Sequence, residues 1–136
     1  MTKTQKKYVV YNEAMRYVNN AIEILSEKAK TEGDKYIDKK YIKMAGHTAY
    51  TGVLYALDNT HILPPLKGRQ RRDVKDYVAA LSKENKKMLG HFNECYEYLH
   101  LVAGYDGHAR VSLVKSVLKD AKQLIQWAAL ILILYS

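Results

Sequence analysis

The residues best equipped for chemistry fall between positions 100 and 110, where His100 is followed by Asp106, His108 and Arg110. In such a set His108 reads as a general base, Arg110 as a cation that steadies a phosphate, and Asp106 as the carboxylate that orients the imidazole. The plainer reading makes Asp106 the cap of the last helix and puts His108 and Arg110 in its first turn. A second surface is Lys67-Gly-Arg-Gln-Arg-Arg-Asp-Val-Lys75, where Lys67, Arg69, Arg71, Arg72 and Lys75 make five basic residues in nine. Nucleic-acid phosphates would be attracted to it, and Tyr77 lies next along the chain, although stacking on a base requires an exposed ring. Its alternative role is a solubilising cap over a proline-bearing loop.

Metal chemistry asks for more than the chain offers. Carboxylate di-metal bundles need two Glu-x-x-His motifs and two further inward glutamates. One such motif is present, Glu97-Tyr-Leu-His100. Glu97 is two residues from the apolar-stripe residue Leu99, about 200° round a helix, and so points to solvent. His91 and Cys95 are spaced to share a zinc ion, yet no second pair supports them. There is no Gly-x-Ser-x-Gly, no Gly-Lys-Ser/Thr loop and no dinucleotide-type glycine cluster, so those enzyme classes are set aside. Neither a cofactor nor a metal is expected.

The elements that must hold these residues are helices. Tyr11, Met15, Val18, Ile22, Leu25 and Ala29 step by threes and fours, as one face of a helix over about 8–30 does. A second helix over 38–59 carries a stripe of mostly small residues, Ile42, Ala45, Ala49, Gly52 and Ala56, which predicts close approach to a neighbour. Pro64, Pro65 and Gly68 mark the longest connection. A third helix over 73–103 has the seam Val74, Val78, Leu81, Asn85, Met88, Phe92, Cys95, Leu99 and Val102, and a fourth covers 108–135. No strand is expected. Amphipathic helices joined by mostly short loops predict an all-α, antiparallel up-down-up-down four-helix bundle forming a single domain over 1–136.

Composition bounds what such a bundle can be. The 136 residues carry a net charge of +8, from 22 Lys and Arg against 14 Asp and Glu, which favours acidic partners. A single cysteine, Cys95, precludes an intramolecular disulfide, and with no leader-like N-terminus the expected location is cytoplasmic. The apolar run Trp127 to Tyr135 is far shorter than the ~20 residues of a membrane span. It is expected to be buried by the bundle or by a second copy of it, with membrane-surface binding as the alternative. Twelve tyrosines against one phenylalanine suggest wet seams or subunit contacts, or else a tyrosine-lined pocket.

Two stretches, Ala45-Gly-His-Thr-Ala-Tyr-Thr-Gly-Val-Leu-Tyr-Ala-Leu57 and Tyr96-Glu-Tyr-Leu-His-Leu-Val-Ala-Gly-Tyr-Asp-Gly-His108, resemble the HEPN-like helical bundles that accompany nucleotidyltransferases or act as RNases. The chain is also similar to a small, uncharacterised Bacteroides-type family sharing the Tyr-Asp-Gly turn. In the RNase members the resemblance implies Arg, four to six residues, then His near the start of the last helix. His108 fits the histidine place, but no arginine precedes it at that spacing. The resemblance therefore implies a non-enzymatic module that dimerises and binds a protein, such as a nucleotidyltransferase, or a nucleic acid. The alternative is a HEPN-like RNase or nucleotide-acting enzyme with a degenerate site around His108.

Overall fold

The computed structural model describes residues 1–68 and 70–135. Helix α1 (Lys3–Glu27) starts earlier than its apolar periodicity suggests because Thr2 and Gln5 form a capping box: the Gln5 amide donates to Thr2 Oγ1 at 3.1 Å, and the Thr2 amide to Gln5 Oε1 at 2.8 Å. Its innermost residues are Val10, Ala14, Val18, Ala21 and Leu25, with Tyr11, Met15 and Ile22 packed half-buried beside them. The expected stripe is thus turned by about one residue. Alanines take the line of closest approach to the next helix.

Between α1 and the second helix the chain forms a ribbon that periodicity does not foretell. Strands β1 (Thr31–Glu32) and β2 (Lys35–Tyr36) pair antiparallel, Glu32 opposite Lys35, around a two-residue turn in which Gly33 takes φ 61°. Two-residue strands are too short to leave an alternating signature. The ribbon then reaches the far end of the sequence: the Tyr36 amide donates to Ala109 O, and Lys35 pairs with Arg110.

Helix α2 (Lys39–Asp58) is the central element, packed against α1, the 96–105 segment and the last helix. Ile42, Ala45, Ala49, Gly52 and Ala56 are all buried, as the small-residue stripe predicts, and Gly46, Tyr50, Val53 and Leu57 are buried with them. Close approach is literal. A Cβ on Gly52 would stand 2.8 Å from the Ala14 carbonyl oxygen, and one on Gly46 would stand 2.5 Å from Leu99 O and 2.7 Å from the Gly104 amide nitrogen.

The expected third helix is three elements: α3 (Val74–Glu84), α4 (Lys86–Cys95) and a π-helical segment (Tyr96–Tyr105). Asn85 is not a seam residue; it adopts an extended conformation and its side chain accepts from the amides of Lys87 and Met88, capping α4. At the other end i to i+5 bonding is visible where the Asp106 amide donates to Leu101 O at 3.0 Å. Helix α5 spans Val111–Tyr135.

Asp106 does not cap α5. The Asp34 carboxylate does so from the ribbon, accepting from the Ser112 amide at 3.1 Å and from its hydroxyl at 2.8 Å, while the Asp34 carbonyl accepts from the Val111 amide. The two bonds from Ser112 hold the pKa of the Asp34 carboxyl below its ordinary value, with Arg110 and Lys115 adding to the effect.

The fold is predominantly helical, with one small ribbon. Phe92, Leu57, Leu81, Leu124 and Ile125 lie at its centre, fully enclosed. Near the end of α5, Ala128, Ala129, Ile131 and Leu132 are buried, whereas Leu130 is 53% exposed. Among the described residues no helix is long and apolar enough to cross a membrane.

Candidate functional site

Gly46 and Gly104 let the backbone of the π-helical segment press on α2, and that contact brings side-chain rings together. A Cβ on Gly104 would stand 2.9 Å from His47 Cε1. Around His100 the rings close in from both elements: Tyr50 stacks on it with centroids 4.6 Å apart and planes at 24°, and Tyr96 tilts against it at 5.5 Å. His47 meets it edge-on at 5.8 Å, and Tyr105 at 5.1 Å. Tyr105 also stands edge-on to His47, at 5.6 Å, so the two imidazoles and this tyrosine form a mutual set.

Depth grades this cluster from core to solvent. Tyr50 is buried beside Phe92, and burial pushes its phenol well above the ordinary range, so it stays protonated. His100 is half-buried; desolvation, with His47 nearby, lowers its pKa below the ordinary 6.5 and leaves the ring neutral at pH 7. Its Nδ1 is buried without a hydrogen-bond partner among the described residues. His47 is exposed and Tyr105 is 62% exposed, forming the outer surface.

Cations flank that surface. Lys39 and Lys43 lie eight and four residues before His47 along the exposed side of α2. The Gly107 turn lies on the stems of the first two: a Cβ there would stand 3.2 Å from Lys43 Cε and 3.3 Å from Lys39 Cβ. His108 follows on this turn and is exposed. An exposed ring beside a line of positive charge can stack a base and hold its phosphate.

Of the four residues weighed for catalysis, His100 is the one built into this cluster. Asp106 and His108 are exposed on the adjoining turn, and Arg110 is drawn to the ribbon, opposite Lys35 and close to Asp34. Among the described residues no hydrogen bond, ion pair or ring contact joins His100 to the other three. His47, Tyr50, Tyr96, Lys39 and Lys43 went unread in the sequence. The signal for them was a glycine beside a ring on each of two elements, Gly46-His47 and Gly104-Tyr105.

The basic loop divides. Lys67, Arg71 and Lys75 are exposed, and Arg69 lies outside the described residues. Arg72 is committed inward: its guanidinium donates to Asp58 Oδ1 and to Pro64 O, both at 2.9 Å. Tyr77 is 5% exposed, donates to the same Asp58 oxygen at 2.7 Å and stacks on Phe92, so it presents no ring for a base.

His91 and Cys95 part company as well. His91 Nδ1 lies 2.6 Å from Asp120 Oδ1 across the α4–α5 contact, whereas Cys95 is fully buried near Val117 O, its thiol pushed well above its ordinary pKa by burial. Among the described residues no three His, Cys, Asp or Glu side chains gather to hold a metal ion.

A family described as a domain of unknown function, DUF5618, matches residues 9–130. A solved structure described as a protein of unknown function from Dyadobacter fermentans is 44% identical in sequence. It superposes with a TM-score of 0.83 over 90% of this chain and 95% of that chain. No curated protein matches the chain.

Proposed function

The chain belongs to this DUF5618 family, and on that footing we propose that it is a HEPN-like, non-enzymatic interaction module that dimerises and binds single-stranded nucleic acid. Its plan would be the antiparallel four-helix bundle, with α3, α4 and the π-helical segment acting as one interrupted helix. The observation that carries the reading is Tyr105, 62% exposed and edge-on to His47 and His100, with Lys39 and Lys43 against the Gly107 turn two residues on. Stacking on exposed rings is tolerant of sequence and contributes about 1–3 kcal/mol per base. Phosphates would follow the lysine line of α2.

The experiment is fluorescence anisotropy with a fluorescein-labelled single-stranded RNA and the matching DNA at two salt concentrations. Binding should weaken steeply with salt, and Tyr105→Ala should weaken it about tenfold while Lys67→Ala with Arg71→Ala has a smaller effect. No binding at low salt, or equal binding by the folded Tyr105→Ala protein, overturns the reading.

A second reading, an RNase with an altered site around His108, draws support from one feature. The His100 ring, whose pKa is lowered by burial, is neutral at pH 7 and can accept a proton. Cleavage of the same RNA by the wild-type chain, lost in His100→Ala or His108→Ala, would favour it over the non-enzymatic module.

Self-association is supported by the end of the molecule where α1 begins and α5 ends. Tyr8 and Leu130 are each more than half exposed there, and with Tyr11 and Ala129 they line a groove of about 350 Å³. Exposed apolar side chains grouped in this way suit a subunit contact.

A further inference from the structure

A different trough, with a volume of about 390 Å³, runs between α1 and α5 and is lined also by Tyr36 from the ribbon. Its floor is apolar: Leu25 and Leu118 are buried beneath it and Ile22 is half-buried along it. The α5 wall carries Lys115, Lys119 and Lys122, one on each successive turn, whereas the α1 wall contributes Ser26 and no charge. None of the three lysines has an ion pair within 4.0 Å among the described residues, and Lys115 acts at longer range on the Asp34 carboxylate.

We propose that this trough is a docking site for an acidic amphipathic helix of a partner protein. The lysines span seven residues, about 10 Å along α5, so they match carboxylates repeated along a helix and not a single head group. A ligand with an apolar face and one acidic edge satisfies both walls at once, which is the helix-in-groove mode of recognition. The net charge of +8 favours approach by such a partner. This site lies apart from the His47–His100–Tyr105 face and does not rest on the nucleic-acid reading.

The test uses the full chain and a fluorescein-labelled peptide of about 16 residues, long enough to be helical, with leucines on one face and glutamates at i, i+4 and i+7 along its edge. Wild-type protein should bind it with an affinity that falls as salt rises. Lys115→Glu/Lys119→Glu/Lys122→Glu should weaken binding about tenfold or more, and Ser26→Trp, which fills the trough without altering charge, should also weaken it. Far-ultraviolet circular dichroism verifies that each variant is folded. Unchanged affinity in both folded variants overturns the proposal. So does equal binding of a scrambled peptide of the same composition, which would mark mere attraction of polyanions. Displacement of the peptide by single-stranded RNA without effect of Ser26→Trp, or by dodecanoate below its micellar concentration, would assign the trough to those ligands instead.

Discussion

Asp34 is exposed, yet its carboxylate is the cap of a helix whose first residue lies more than seventy positions away. A carboxyl that is more acidic folded than unfolded stabilises the fold above its ordinary pKa of 3.8 and loses that contribution as pH falls through the lower, folded value. Asp34→Asn retains one oxygen for the Ser112 amide but removes the charge and turns the second acceptor into an NH2 group, much as protonation of the carboxyl does. The variant should therefore melt below the wild type at pH 7, and the gap should close below about pH 4. A gap that stays constant down to pH 2 in parallel thermal melts would show that charge has no part in the cap. Elsewhere single residues are tied as firmly: Asp58 holds both Arg72 and Tyr77, fixing the end of the long loop and the start of α3 to the end of α2.

Among the elements, α2 bears the tightest constraint, because its glycines face fixed backbone on two sides. Gly46→Ala would drive a methyl group into Leu99 O and the Gly104 amide, neither of which can rotate away. Overpacking of that kind costs about 3 kcal/mol, against about 1 kcal/mol gained by removing glycine from a helix. A net loss of about 2 kcal/mol should lower the urea midpoint. Gly90→Ala on α4, with open space around the new methyl, should stabilise the fold by up to about 1 kcal/mol and raise that midpoint. Matching shifts in the two variants would refute close packing at Gly46. The stripe Ile42, Ala45, Ala49, Gly52 and Ala56 made α2 legible from sequence, since a run of small residues has few uses apart from close approach. Asn85 was misread for a related reason: at a seam spacing it looks like a polar residue in a heptad, and the same amide is equally an N-cap. The ribbon left no signal because each strand is two residues long. The ring cluster was half legible, His100 being readable by type, while its partners on α2 depend on a helix-to-helix contact that no local spacing encodes.

At the scale of the whole molecule, Tyr8 and Leu130 are exposed together where the two longest helices meet, whereas Ile37, Met44, Leu66 and Tyr105 are exposed elsewhere. If that end joins a second copy, wild-type protein should scatter light as a dimer of 15.6 kDa chains. Leu130→Glu, placing a charge at the contact, should scatter as a monomer with unchanged helical circular dichroism. A wild-type mass equal to one chain would remove the dimer. The proposed sites are distributed differently: the ring face lies where α2 meets the π-helical segment, and the trough between α1 and α5, so one copy could engage two ligands at once.

The cap that Asp34 places on Ser112 joins positions 78 apart in the chain. During synthesis the ribbon leaves the ribosome before α5 does, but two-residue strands are too short to hold their shape alone, and the ribbon is completed by the Ala109–Arg110 segment that bonds Tyr36 and Lys35. The ribbon and the first turn of α5 therefore form together, each completing the other's hydrogen bonds across a long loop whose closure comes late in assembly.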